Sequence, residues 1–112
     1  MDEIFDSSVR PAGDLAGVFE YDGETGYFYL YATGGQAGKK VLDSIHVLSA
    51  ERELDFGEVD ISVRWDSEAL KVGLFIKGML CGAFDCGRGS KYGGNYTRDG
   101  RPSLPPGAEV GF

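Results

Sequence analysis

Apolar and polar residues alternate with a period of two over much of the chain. In EVDISVRW, Val59, Ile61, Val63 and Trp65 alternate with Glu58, Asp60, Ser62 and Arg64. A strand points successive side chains to opposite faces, so this pattern predicts one apolar and one polar face. After Asp66, Ser67 and Glu68, the segment LKVGLFIK sets Leu70, Val72, Leu74 and Ile76 against Lys71, Gly73, Phe75 and Lys77. The two segments predict an antiparallel hairpin with those eight apolar residues buried together. Lys77-Gly78 then turns into a third strand over 79–85.

A second hairpin is predicted nearer the start. LAGVFEY and GYFYLYA flank the polar loop DGET, whose glycine can take positive φ. TGGQAGKK, 33–40, reads as a loop. VLDSIHVL, 41–48, fits a helix face through Val41, Ile45 and Leu48, but its β-branched residues favour a strand, which is the reading taken. AERELDF reads as a further strand or a short helical turn. From residue 87 to 112 the chain holds 7 Gly and 3 Pro with no sustained period, an irregular strap for which Tyr92 and Tyr96 offer anchors. The expected fold is therefore all-β: one antiparallel domain of six or seven short strands, as a curled meander, sandwich or open barrel. Residues 1–14 read as an N-terminal extension, 15–86 as the β domain and 87–112 as the strap.

The DGETGYFYLY stretch raises a question of function. Tyr27, Tyr29 and Tyr31 alternate with Phe28 and Leu30. A strand here puts Phe28 and Leu30 on the core face and lines the tyrosines on the other, with Phe75 as a further aromatic joining them. Such a stripe is either covered by the tail or a second sheet, or is a contact surface for which tyrosine offers large area and a polar tip. With the acidic turn residues Asp22 and Glu24, these aromatics are the candidate partner-binding residues.

Charge narrows the partner. Carboxylates outnumber bases 18 to 11, for a net charge of −7, which opposes nucleic acid. Residues 1–86 carry 16 acids against 7 bases, and 87–112 carry 2 against 4. A solvated acidic body accounts for this; so does an acidic face for a basic protein partner. No apolar run reaches the roughly 18–20 residues of a membrane span, and the acidic start MDEIFDSSVR is unlike a secretory signal, so a cytoplasmic protein is expected.

Catalytic and metal signatures are weak. Cys81, Cys86 and His46 are too few for a structural zinc site, so no metal or cofactor is expected, and the thiols are expected to be reduced. DGETG departs from the EF-hand, with Tyr27 at its sixth position and Thr33 at its twelfth. Ser44 and His46 share a strand face with poor geometry for attack, and Asp43 falls on the opposite face. GRGSKYGGNY lacks P-loop spacing. No catalytic residue is assigned. The rival is a small-molecule binder or enzyme whose carboxylates converge only in the fold.

YDGETGYFY, VLDSIHVL and EVDISVRWDSEALKVGLFIKGMLCGAFDC, across roughly residues 15–86, resemble a bacterial family, domain of unknown function 2251. The resemblance implies a single-domain bacterial protein and brings no activity or site residues. In size and charge the chain is also similar to immunity proteins that neutralise secreted toxins, a likeness of type alone. The reading carried forward is a non-enzymatic interaction domain.

Overall fold

The computed structural model describes residues 3–33, 40–49, 56–96 and 104–112. Eight strands lie among them: β1 (Ile4–Val9), β2 (Leu15–Tyr21), β3 (Gly26–Ala32), β4 (Lys40–Leu48), β5 (Ile61–Trp65), β6 (Lys71–Ile76), β7 (Met79–Asp85) and β8 (Ser90–Gly93). They form two open antiparallel sheets, β1-β2-β3-β4 and β5-β6-β7-β8, with no α-helix among the described residues. The two sheets share one core, so the fold is the sandwich among the three architectures expected. VLDSIHVL falls in β4 as a strand. The expectations for 34–39 and for most of AERELDF lie outside the described residues, as does the 97–103 part of the strap.

Period-two alternation builds the core. Phe19, Tyr21, Phe28, Ile45, Val47 and Leu48 of the first sheet meet Ile61, Val63, Val72, Leu74, Ile76 and Phe84 of the second. Phe28 and Phe84 touch across the interface with ring centroids 5.1 Å apart. The sheets come this close because β2 carries Gly17 inside, where a Cβ would strike Val72.

The β5–β6 hairpin has the expected register, with Val63 opposite Leu74. Two of its eight predicted core residues are elsewhere. Val59 is 95% exposed, because Glu58–Asp60 forms a 3-10 turn before the strand begins. The Asp60 carboxylate accepts the Gly57 N–H at 2.9 Å and closes this turn. Leu70 is exposed in the hairpin turn, where the Asp66 carboxylate accepts the N–H groups of Leu70 and Lys71. Trp65 is half-buried at the core margin.

Two further strands lie outside residues 15–86. The segment read as an extension contains β1, and the segment read as strap contains β8. β1 hides its inner face from a hydropathy reading because that face does polar work at one corner of the sandwich. The Asp6 carboxylate accepts the Val63 N–H at 2.8 Å, and the Trp65 indole N–H donates to the Ser8 carbonyl at 2.9 Å. The opposite corner is joined by residues 94–96, whose Asn95 and Tyr96 N–H groups donate to the carbonyls of His46 and Val47. Lys91 adds bonds to the Asp43 carboxylate and the Ser44 carbonyl. Strand edges are thus engaged at both corners, which limits unwanted pairing with other chains.

Residues 104–112 lie on the outer face of the second sheet. Phe75, Leu80 and Ala83 form a second apolar cluster there with Ala108, Leu104, Tyr92 and Phe112. Phe112 meets Phe75 edge to face at 5.1 Å, and the Arg64 guanidinium lies 3.9 Å above the Phe75 ring.

Both cysteines are free, with Cys81 in the core and Cys86 half-buried beyond β7. A bulge beside Leu74 and Phe75 resets the alternation, so that Cys81 and Phe84 both reach the core. Burial pushes the Cys81 thiol up to about 12, against a smaller lowering by its backbone bond with Gly94. An unfolded chain would lose this proton near the ordinary thiol value of 9.0, so the stability it confers is full below that pH and drains away between there and about 12. Denaturant midpoints are expected to fall faster with pH for the natural protein than for Cys81→Ala, by about 2 kcal/mol at around pH 10.5. Equal losses in the two proteins would move the alkaline sensitivity to other groups.

Candidate functional site

The cross-strand register arranges the outer face of the first sheet as three rows of four residues. Phe5, Glu20, Tyr27 and His46 form the first row; Ser7, Val18, Tyr29 and Ser44 the second; Val9, Ala16, Tyr31 and Val41 the third. Directly paired residues share a face, so each row runs across the four strands on one side. Glu20 is the only carboxylate, lysine or arginine among the twelve. Phe5 is 56%, Val9 57% and Val41 45% exposed, which makes this an open apolar surface.

The tyrosines run down its middle. Tyr27 and Tyr29 stack at 5.9 Å with planes 22° apart, and Tyr29 meets Tyr31 edge-on at the same spacing. His46 continues the line, its ring 5.1 Å from Tyr27. Phe28 is fully buried and Leu30 packs on the core, as the alternation in β3 requires. The second sheet packs on the other face, and residues 104–112 lie on the second sheet. Among the described residues, therefore, neither of the two expected covers reaches the tyrosines.

Phe75 does not join the stripe. It is buried on the outer face of the other sheet, beneath the strap, because β6 is covered on both sides. Asp22 and Glu24 sit in the β2–β3 turn at the first-row end of the face. The Asp22 carboxylate accepts the N–H groups of Thr25 and Glu24 at 2.8 and 2.9 Å, and these bonds hold it below the usual carboxylate range. Gly23 takes φ +96° in that turn. Sequence reasoning found the tyrosines and missed Phe5, Val9, Val18 and Val41, which complete their surface. The signal for Phe5 and Val9 was their spacing of four across the polar residues Asp6, Ser7 and Ser8.

The electrostatics of the face are one-sided. Burial first, then the charge of Glu20 and the neighbouring Tyr31, Tyr27 and Asp22, raises the Tyr29 phenol above its ordinary value. Asp43 turns away to the corner, paired with Lys91 at 2.7 Å, so it does not orient the His46 ring. Among the described residues no three His, Cys, Asp or Glu side chains gather as metal ligands. Two open clefts, of about 450 and 820 Å³, lie where residues 104–112 meet the second sheet, and His46 lines neither.

Among the described residues no helix is long and apolar enough to cross a membrane. No curated protein and no solved structure matches the chain. The family model described as an uncharacterized protein conserved in bacteria, DUF2251, matches residues 2–106. The sandwich with its open tyrosine face therefore belongs to a bacterial protein of the DUF2251 family.

Proposed function

We propose that this is a non-enzymatic interaction domain of the bacterial cytoplasm that docks another protein on the outer face of its first sheet. The observation that carries the reading is the contrast between the two outer faces. The second sheet's apolar outer face is covered by the chain's own residues 104–112, while the first sheet leaves three tyrosines, Phe5, Val9 and Val41 accessible. Strands about 4.8 Å apart and residues about 6.6 Å apart along one face give a patch on the order of 400 Å². Patches of that size on monomers are often functional, and this one is about half of one partner's share of a standard interface. Tyrosine is enriched at such interfaces because its ring supplies area at small entropic cost. An immunity-type role, with a toxin as partner, is the form of this reading that size and acidity suggest.

Val18→Arg puts a charge at the centre of the face on a half-buried position. Immobilised natural protein is expected to retain a partner from lysate of the source bacterium that the Val18→Arg protein does not, with both giving similar melting curves. Identical retained proteins from the two folded baits would defeat the proposal.

A further inference from the structure

The docking face is polarised along its strands. At the first-row end, Glu20 stands in register between Phe5 and Tyr27. Just beyond the strand ends here are Glu3, before β1, and Asp22, after β2, and Glu24 follows in the turn. Glu20 enters no ion pair among the described residues. The lysines and arginines described in this half of the chain, Arg10 and Lys40, are both at the third-row end, where Arg10 is paired with Asp14. The third row itself, Val9, Ala16, Tyr31 and Val41, is apolar apart from one phenol. One end thus attracts a cation and the other an apolar side chain. The two ends are four residues apart along β1, β2 and β3, about 13 Å.

Resting on the docking reading above, we propose that the partner is a protein segment that sets an arginine on Glu20 between Phe5 and Tyr27, with an apolar side chain on the third row. Arginine fits better than lysine. Its planar guanidinium can bond a carboxylate with two N–H groups while its face lies on an aromatic ring, and it is more weakly hydrated than an ammonium. Phe5 and Tyr27 supply rings on both sides of the carboxylate, and a cation over either gains from the negative ring face. The protein makes the same contact internally, with Arg64 over Phe75 and Arg10 over Trp65. The remaining carboxylates, Glu3, Asp22 and Glu24, steer a cationic partner to this end without each needing a contact.

Capped, extended peptides with one arginine and one leucine four residues apart test this. Their counterparts replace arginine by lysine, glutamine or glutamate. Amide spectra of the labelled protein are expected to show the arginine peptide shifting residues of β1, β2 and β3 around Phe5, Glu20 and Tyr27. Its affinity is expected to exceed that of the glutamine peptide by about fivefold and to weaken with salt. The exposed Glu20→Gln substitution, with its melt unchanged, is expected to erase that preference. Equal binding of the arginine and glutamine peptides, or a preference that survives Glu20→Gln, overturns the cation seat and leaves the docking reading standing. Absence of any shift on this face at millimolar peptide also overturns the seat, whereas the docking reading falls only by the Val18→Arg comparison. Face resonances that shift with protein concentration alone would assign the surface to a second copy and overturn the proposal.

Discussion

Phe28→Ala is expected to cost about 3–5 kcal/mol, a large share of the stability of a domain this size. Tyr29→Ala, at the next residue, is expected to cost about 1 kcal/mol. The contrast follows from the pleat of β3. Phe28 is fully buried, faces Phe84 across the core and leaves a cavity that its neighbours in both sheets cannot close. Tyr29 is half-buried among other tyrosines on a face open to water, so truncation there exposes little that was dry. Thermal melts of the two variants decide the matter. A loss for Tyr29→Ala as large as for Phe28→Ala would make the tyrosines part of the interior and remove the main support for a docking face.

Gly93→Ala is expected to be nearly as damaging, at roughly 3 kcal/mol, from backbone strain and a forced displacement together. Gly93 has φ +87°, and a Cβ there would strike the Cys81 carbonyl oxygen and lie 2.7 Å from the Gly82 Cα. These are backbone atoms of the neighbouring strand, which cannot rotate aside as a side chain can. The position also launches residues 94–96 toward β4, so the substitution threatens that corner as well as β8. Gly89→Ala is the control: φ is +67° but nothing lies within 4 Å of the added methyl, so strain alone remains, about 1 kcal/mol. Equal denaturant midpoints for the two variants would show that the close approach to β7 adds nothing to the backbone angle.

The parts of this architecture that a sequence reader can see are those where each face of a strand has one kind of neighbour. β5 meets that condition through Ile61 and Val63, the inner face of β6 through Val72, Leu74 and Ile76, and β3 through Phe28 and its flanking tyrosines. Where a second neighbour intervenes, the pattern fails for a physical reason. Phe75 looks like a stray aromatic on a polar face until the strap supplies its partner, Phe112. Val59 fits the alternation of β5 but belongs to a turn closed by Asp60. Beyond the buried Ile4, β1 sets Asp6 and Ser8 inside and Phe5 and Val9 outside, because Asp6 satisfies a backbone N–H of the other sheet. Five of the six residues singled out for binding, Tyr27, Tyr29, Tyr31, Asp22 and Glu24, do fall on or beside one surface. The apolar residues that make it a surface come from three other strands, and only the register reveals that they are neighbours.

The order of the strands has a consequence for how the chain is divided. Each sheet is a meander of four consecutive strands, β1 to β4 and then β5 to β8. A break in the backbone between Leu48 and Phe56 would sever no ladder of either sheet. Each piece would keep all its hairpins and carry one complete apolar inner face, unable to hide it alone. The two halves are thus built to find each other as separate fragments, reassembling through the Phe28–Phe84 interface and the two corners. A split protein of this kind would regain its tyrosine face only on reassembly, because that face lies wholly on the first fragment but owes its flat backing to the second.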